Sequence, residues 1–229
     1  MSALARYFVA LGKNVAGYDK TPTQLTQELE TLGIRENTMI IFSSDNGPVL
    51  DDGYQDEAVT QLNGHTPGGI LRGGKYSTLE AGTRVPFILS WPALVNQGVS
   101  AALVCQMDLL ASFSDLLAQK FSEEELLDSE NTLDAFLGKS NKGRSVLIEQ
   151  GSSRGKSLAL AIVKDNWKYI PANESDSYGK LGSVESEKEN VGQLYDLNLD
   201  LGEMNNLAKK YPNKVKELAK LLEQQRQLK

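Results

Sequence analysis

Thr38-Met39-Ile40-Ile41-Phe42-Ser43-Ser44-Asp45-Asn46-Gly47-Pro48 is the stretch from which the fold is read. Its opening residues are mostly apolar and rich in β-branched and aromatic side chains, the pattern of a strand buried on both faces in an α/β sheet. Upstream, Thr21 is placed to cap a helix that has Pro22 at its first position, Leu25, Leu29 and Leu32 on one face and Gly33 as its stop. That order, helix then strand, predicts an αβ unit whose helix packs on something apolar. Downstream, the polar run from Ser43 to Pro48 falls at the carboxyl end of the strand, where open α/β sheets hold ligands.

Val49 to Arg84 follows, with seven glycines and little periodicity. An irregular stretch of that length in a compact domain is functional or disordered. Val85 to Trp91 reads as a second buried strand and Met107 to Leu117 as an apolar helix, with Met107, Leu109, Leu110, Phe113, Leu116 and Leu117 as its core residues. Residues 1–121 thus form an α/β layer. The polar and acidic residues 122–143 read as an exposed connection. Residues 144–229 change pattern to antiparallel β, with strands over 145–149, 158–163, 167–170 and 193–197 and a hairpin tip at Ser152 to Lys156. A closing helix, Pro212 to Leu228, sets Val215, Leu218, Leu221 and Leu222 on one side.

With 229 residues, 24 Lys+Arg and 30 Asp+Glu, the chain carries a formal charge of −6 and has no basic nucleic-acid footprint. Its composition is that of a globular protein able to bury a core. One cysteine, Cys105, and one histidine, His65, exclude an internal disulfide and a His/Cys zinc site. No apolar run approaches the roughly 20 residues of a spanning helix, so no membrane partner is expected.

Several residues can carry chemistry. Asp45-Asn46 offers one anionic and one neutral oxygen donor, which suits Ca²⁺ or Mg²⁺. The pair also fits an Asx turn at the strand exit, and local sequence favours the turn. Gly69 to Lys75 fits the first part of a phosphate loop, but Tyr76 stands where Ser or Thr is needed and no buried strand precedes it, so a nucleotide loop is rejected. What survives is Lys75, with Arg72, close to glycines that let a tetrahedral oxyanion approach; the alternative is a solvated turn lysine. His65 can donate or titrate near neutrality, or be an exposed loop histidine. Cys105 lies among apolar residues without basic neighbours and is expected to be a small buried residue, not a nucleophile.

Thr38 to Pro48, then Leu71-Arg-Gly-Gly-Lys-Tyr-Ser-Thr-Leu-Glu-Ala-Gly-Thr-Arg-Val-Pro-Phe87, then Trp91-Pro92 together resemble the type I sulfatase (arylsulfatase) family. The likeness extends through Val104 to Ser112, Asn166-Trp-Lys-Tyr-Ile170, Gln193-Leu-Tyr-Asp-Leu197 and Asn206-Leu207. It implies an alkaline phosphatase-like α/β fold followed by a small α+β domain with an antiparallel sheet and a terminal helix. It also implies hydrolysis of sulfate esters at a Ca²⁺ site, by a formylglycine nucleophile made from Cys or Ser. Asp45 and Asn46 match the family's second pair of metal ligands. Lys75 matches the lysine on the sulfate and bridging oxygen. His65 and Arg72 become candidate substrate contacts.

The family's Cys/Ser-x-Pro/Ala-x-Arg motif is absent from the sequence, and Cys105 to Leu109 does not fit it. The resemblance therefore predicts that the chain is the C-terminal part of a secreted or periplasmic sulfatase acting on a small sulfate ester or sulfated glycan. Alone it would be inactive, since a covalent mechanism without its nucleophile has no path. A fragment, a split gene or a truncation would explain the missing segment, and an unpaired sheet edge would then invite self-association. Two alternatives stand beside this reading. One is a truncated module that only binds metal or anion. The other is a related phosphatase or phosphodiesterase, against which the single histidine argues, since those enzymes use two zinc ions with several His ligands.

Overall fold

The structure is a computed structural model that describes residues 24–49, 57, 60–122, 124–152, 158–172 and 192–227. They fall into two compact units, Met1–Ser43 with Pro86–Ser145, and Ser44–Val85 with Val146–Lys229.

The first unit opens on helix α1, Gln24–Thr31. The Gly33 N–H donates to the Glu30 carbonyl and the Ile34 N–H to the Leu29 carbonyl, each at 3.0 Å. With Gly33 at a φ of +68° this is a Schellman ending, which glycine closes without a Cβ clash. The expected cap at Thr21 and Pro22 lies outside the described residues. The predicted apolar face is not a core face: Leu25 and Leu32 are exposed, and Thr26 is the buried residue. Strand β1, Ile40–Ser43, pairs antiparallel with β2, Phe87–Ser90, in the register Ile40↔Ser90 to Ser43↔Phe87. Here too the sequence misleads. These strands are only half-buried, and Phe42 is 49% exposed, because a two-stranded sheet offers its outer face no cover.

Helix α3, Asp108–Leu116, keeps only part of its predicted face, with Leu109, Phe113 and Leu116 half-buried. Met107, Leu110 and Leu117 are exposed, whereas Asp108, Ala111, Ser112 and Ser114 are buried. The physical reason is a set of polar tethers from the segment read as an exposed connection. Asp108 accepts the N–H groups of Cys105 (2.9 Å) and Glu130 (3.0 Å) and both carboxylate oxygens take the Arg144 Nε at 2.9 Å. Ser112 Oγ accepts the Thr132 N–H, and Ser129 Oγ donates to the Met107 carbonyl. That segment also contains a short helix α4, Leu133–Phe136, whose Phe136 is buried and stacks on Phe87 at 5.2 Å. Cys105 is half-buried and unpaired.

The second unit is a four-stranded antiparallel sheet in the order β3 (Val146–Ser152), β4 (Leu158–Lys164), β5 (Trp167–Ile170) and β6 (Gln193–Asp196). Of the predicted hairpin tip at Ser152 to Lys156, Ser152 ends β3 and the rest lies outside the described residues. Asp165 and Asn166, with φ of +52° and +62°, make the two-residue turn between β4 and β5. Helix α5, Pro212–Gln227, lays Leu218 and Leu222 on Ile162, Tyr169, Leu194 and Ala208, as its spacing predicted. Among the described residues no helix is long and apolar enough to cross a membrane. Helix α2, Glu80–Thr83, ends the glycine-rich stretch.

Candidate active site

Ser44 to Pro48 and Arg72 to Gly82 are joined through their backbones. The Gly47 N–H donates to the Gly82 carbonyl at 3.1 Å, the Lys75 N–H to the Pro48 carbonyl at 2.9 Å, and the Ala81 N–H to the Arg72 carbonyl at 2.9 Å. Glycines make these approaches sterically allowed. A Cβ on Gly47 would stand 1.6 Å from the Ala81 carbonyl oxygen, and one on Gly74 would stand 2.7 Å from the Pro48 oxygen. Asp45-Asn46 and Lys75, 29 or more residues apart in sequence, are therefore brought into one stitched loop pair.

Asp45 is exposed and Asn46 half-buried. The Asn46 amide nitrogen donates to the Gly47 carbonyl at 2.9 Å, so Oδ1 is the atom left for a ligand. An ionised carboxylate beside an amide oxygen is a donor set for a hard cation, though only part of the six or so oxygens such an ion takes. Among the described residues no group of three or more His, Cys, Asp or Glu could hold a metal. The Lys75 ammonium lies 5.2 Å from the centre of the Tyr76 ring. Tyr76 itself has a φ of +78°, a conformation that costs a non-glycine residue on the order of 1 kcal/mol or more and that concentrates at functional sites.

Arg72 is turned to the four-stranded sheet of the same unit. Its Nη2 donates to the Tyr195 hydroxyl at 2.9 Å, its guanidinium stacks 5.5 Å from the ring centre, and that hydroxyl donates to Gln193 Oε1 at 2.6 Å. Burial pushes the Tyr195 phenol up, with Arg72 opposing. The Arg72 Nε is buried with no hydrogen-bond partner among the described residues. His65 is exposed in a turn whose preceding residues, Asn63 and Gly64, both have positive φ.

The sequence reading missed a buried charge cluster behind the loop. Lys168, 0% exposed on β5, places Nζ 2.9 Å from Glu80 Oε1, 2.7 Å from Glu149 Oε2 and 3.3 Å from Glu203 Oε1. Glu203 Oε2 accepts the Glu80 N–H at 2.7 Å, Thr83 Oγ1 donates to Glu149 Oε1 at 3.0 Å, and Arg84 pairs with Glu80. Burial opposes ionisation of Glu80, but Lys168 and Arg84 outweigh it and hold the carboxyl below its ordinary value. Burial wins at the other two: Glu149 is raised, and Glu203 is pushed up to about 7 against the pull of Lys168. For Lys168 the three carboxylates overcome desolvation and raise the ammonium. The available signal was a lysine inside the four-residue strand Trp167–Ile170, where a buried charge needs partners.

The description of the family model matching residues 10–119 is Sulfatase. The N-acetylgalactosamine-6-O-sulfatase of Bacteroides thetaiotaomicron is 44% identical over 212 residues, 93% of this chain and 41% of that protein. The arylsulfatase of Hemicentrotus pulcherrimus is 27% identical over 78% of this chain and 28% of that protein. A solved structure reported in connection with the metabolism of multiple glycosaminoglycans by Bacteroides thetaiotaomicron superposes with a TM-score of 0.77 at 46% identity, over 87% of this chain and 41% of that one. The chain thus spans about two-fifths or less of the relatives it matches. The glycine-stitched loop pair, the α/β architecture with its antiparallel sheet and terminal helix, and these likenesses agree, and the chain belongs to the sulfatase family, of alkaline phosphatase-like fold.

Proposed function

We propose that this chain supplies part of the active site of a sulfatase that hydrolyses sulfate esters, and that a 6-O-sulfated N-acetylgalactosamine unit is the first substrate to test. The observation that supports the reading is the hydrogen bond from the Lys75 N–H to the Pro48 carbonyl, which ties the backbone of the loop carrying Lys75 to the segment that follows Asp45-Asn46. The choice of sugar is supported by the likeness to the N-acetylgalactosamine-6-O-sulfatase.

In this reading the Asp45 carboxylate and Asn46 Oδ1 would hold Ca²⁺, which would supply positive charge at the sulfate. The Lys75 ammonium binds at the bridging oxygen. As the sulfur–oxygen bond to the sugar breaks, the sulfuryl group would pass to the attacking nucleophile's oxygen, the electron pair stays on the sugar oxygen, and Lys75 stabilises the developing alkoxide. His65 and Arg72 are candidate substrate contacts, with Arg72 reaching substrate only by giving up Tyr195. The nucleophile, a formylglycine, belongs to a motif this sequence does not contain, so the chain alone is inactive. The parent protein is exported, to the periplasm or the medium, and an unpaired sheet edge of the isolated chain favours self-association.

The test is sulfate release, with Ca²⁺ present, from 6-sulfated N-acetylgalactosamine and from an aryl sulfate, beside phosphate release from the matching aryl phosphate. Three samples are compared: this chain, the Bacteroides thetaiotaomicron relative, and that relative with its matching segment replaced by this chain. Activity of the chimera and not of the chain alone supports the reading. A folded but inactive chimera overturns it, and a chimera that prefers an aryl phosphate points to a phosphatase.

A further inference from the structure

Helix α2 is four residues long, too short to hold its own shape, yet both halves of the candidate site hang on it. Its Ala81 N–H donates to the Arg72 carbonyl at one end of the lysine loop, and its Gly82 carbonyl accepts the N–H of Gly47, next to Asn46. Gly47 also packs so closely on Ala81 that a Cβ on Gly47 would stand 1.6 Å from the Ala81 carbonyl oxygen. What fixes α2 must therefore come from outside it.

The fixing contacts converge on one ammonium. Lys168 Nζ reaches Glu80 at the start of α2, Glu149 on β3 and Glu203 in the loop after β6. The two acids reached on other elements return to α2: Glu203 accepts the Glu80 N–H, and Glu149 accepts the Thr83 hydroxyl proton. Lys168 itself is held in register between Val163 of β4 and Tyr195 of β6. Three carboxylates converge on this one buried cation, and Arg84 reaches Glu80 alone. Without the ammonium the three acids lose their shared partner and must protonate or repel one another in a desolvated space, and the contact they yield is the one to α2, since β3 is held by its ladder to β4.

We propose that Lys168 is the positioning residue of the candidate site: through Glu80, Glu149 and Glu203 it sets the place of α2, and with it of Lys75, Asp45 and Asn46, none of which it touches. The inference rests on the sulfatase reading only for what those three residues do.

The experiment is amide hydrogen exchange by NMR on this chain at pH 7, for the wild type, Lys168→Met and Glu80→Gln. The reporting amides are Gly47, Lys75 and Ala81. The references, in the same unit, are Leu197, whose N–H donates to the Asn166 carbonyl at 2.8 Å, and Leu207, whose N–H donates to the Leu194 carbonyl at 2.8 Å. The expected result is exchange at least tenfold faster at the three reporting amides in both variants, with less than twofold change at the references. Reporting amides that stay within twofold of wild type overturn the proposal. So does acceleration of reporters and references in step, since that is a loss of general stability. If Lys168→Met does not fold, Glu80→Gln decides by the same two outcomes, because it keeps the shape and removes the charge. A sulfate titration followed at the Lys75 amide is read separately: absence of any shift counts against the sulfate contact, while the exchange result still decides the positioning role.

Discussion

Glu203→Gln should remove that residue's share of a pH dependence of stability that the buried cluster imposes. Glu203 is 0% exposed, and its carboxyl is pushed from an ordinary 4.5 up to about 7. A carboxyl raised on folding holds its proton more tightly in the native state. Below pH 4.5 both states are protonated and nothing is lost. Between pH 4.5 and 7 the unfolded chain ionises freely while the folded one does not, and stability falls by about 1.4 kcal/mol per pH unit. The full loss, reached above pH 7, is about 3 kcal/mol. Glu149, also raised, acts in the same direction. Glu80 is lowered, so its contribution is lost only as pH falls below the ordinary carboxylate range, and that of Lys168, raised, is lost only in strong alkali. Both lie outside the window. Urea unfolding at half-unit steps from pH 5 to 8.5 would give the difference between Glu203→Gln and wild type. That difference should move in favour of the variant by about 3 kcal/mol across the range. A difference constant to about 0.5 kcal/mol would show that Glu203 is ionised at all these pH values and that the reasoning about burial is wrong.

Two substitutions test the packing. Gly47→Ala puts a Cβ 1.6 Å from the Ala81 carbonyl oxygen, so the two segments must part. Urea unfolding should show a loss of about 3 kcal/mol, at the upper end for overpacking, and the Gly82 carbonyl should lose its donor. Leu218→Ala removes a fully buried side chain from the contact of α5 with Ile162 and Leu194 and should cost about 2 to 5 kcal/mol by the same assay.

What the sequence made legible follows from where each signal is local. The period-3.6 pattern of Val215, Leu218 and Leu222 is satisfied by one sheet face within the same unit, so α5 was read correctly. The runs at 158–163, 167–170 and 193–197 match β4, β5 and β6 to within a residue, since alternation and turn residues set short antiparallel strands. Helices α1 and α3 were found, but their faces were misassigned. Leu25, Leu32 and Leu110 promised a core that the described residues do not build, and the burial of Asp108 and Ser112 depends on partners more than 16 residues away in sequence. At the candidate site the residue types were legible as motifs. The stitching of Gly47 to Gly82 and Lys75 to Pro48 is non-local and was not. Lys168 and its three acids come from four separate stretches, and only the fold brings them to one point.

The assignment of Lys75 to the leaving oxygen is tested most directly by Lys75→Ala in the chimera with the Bacteroides thetaiotaomicron relative, assayed on sulfate esters of graded leaving-group acidity. The account predicts that kcat/KM falls by about 10² to 10³ on a sugar sulfate, whose alkoxide needs the charge, and far less on an acidic aryl sulfate. Equal losses on all esters, or none, would contradict a lysine that acts on the bridging oxygen.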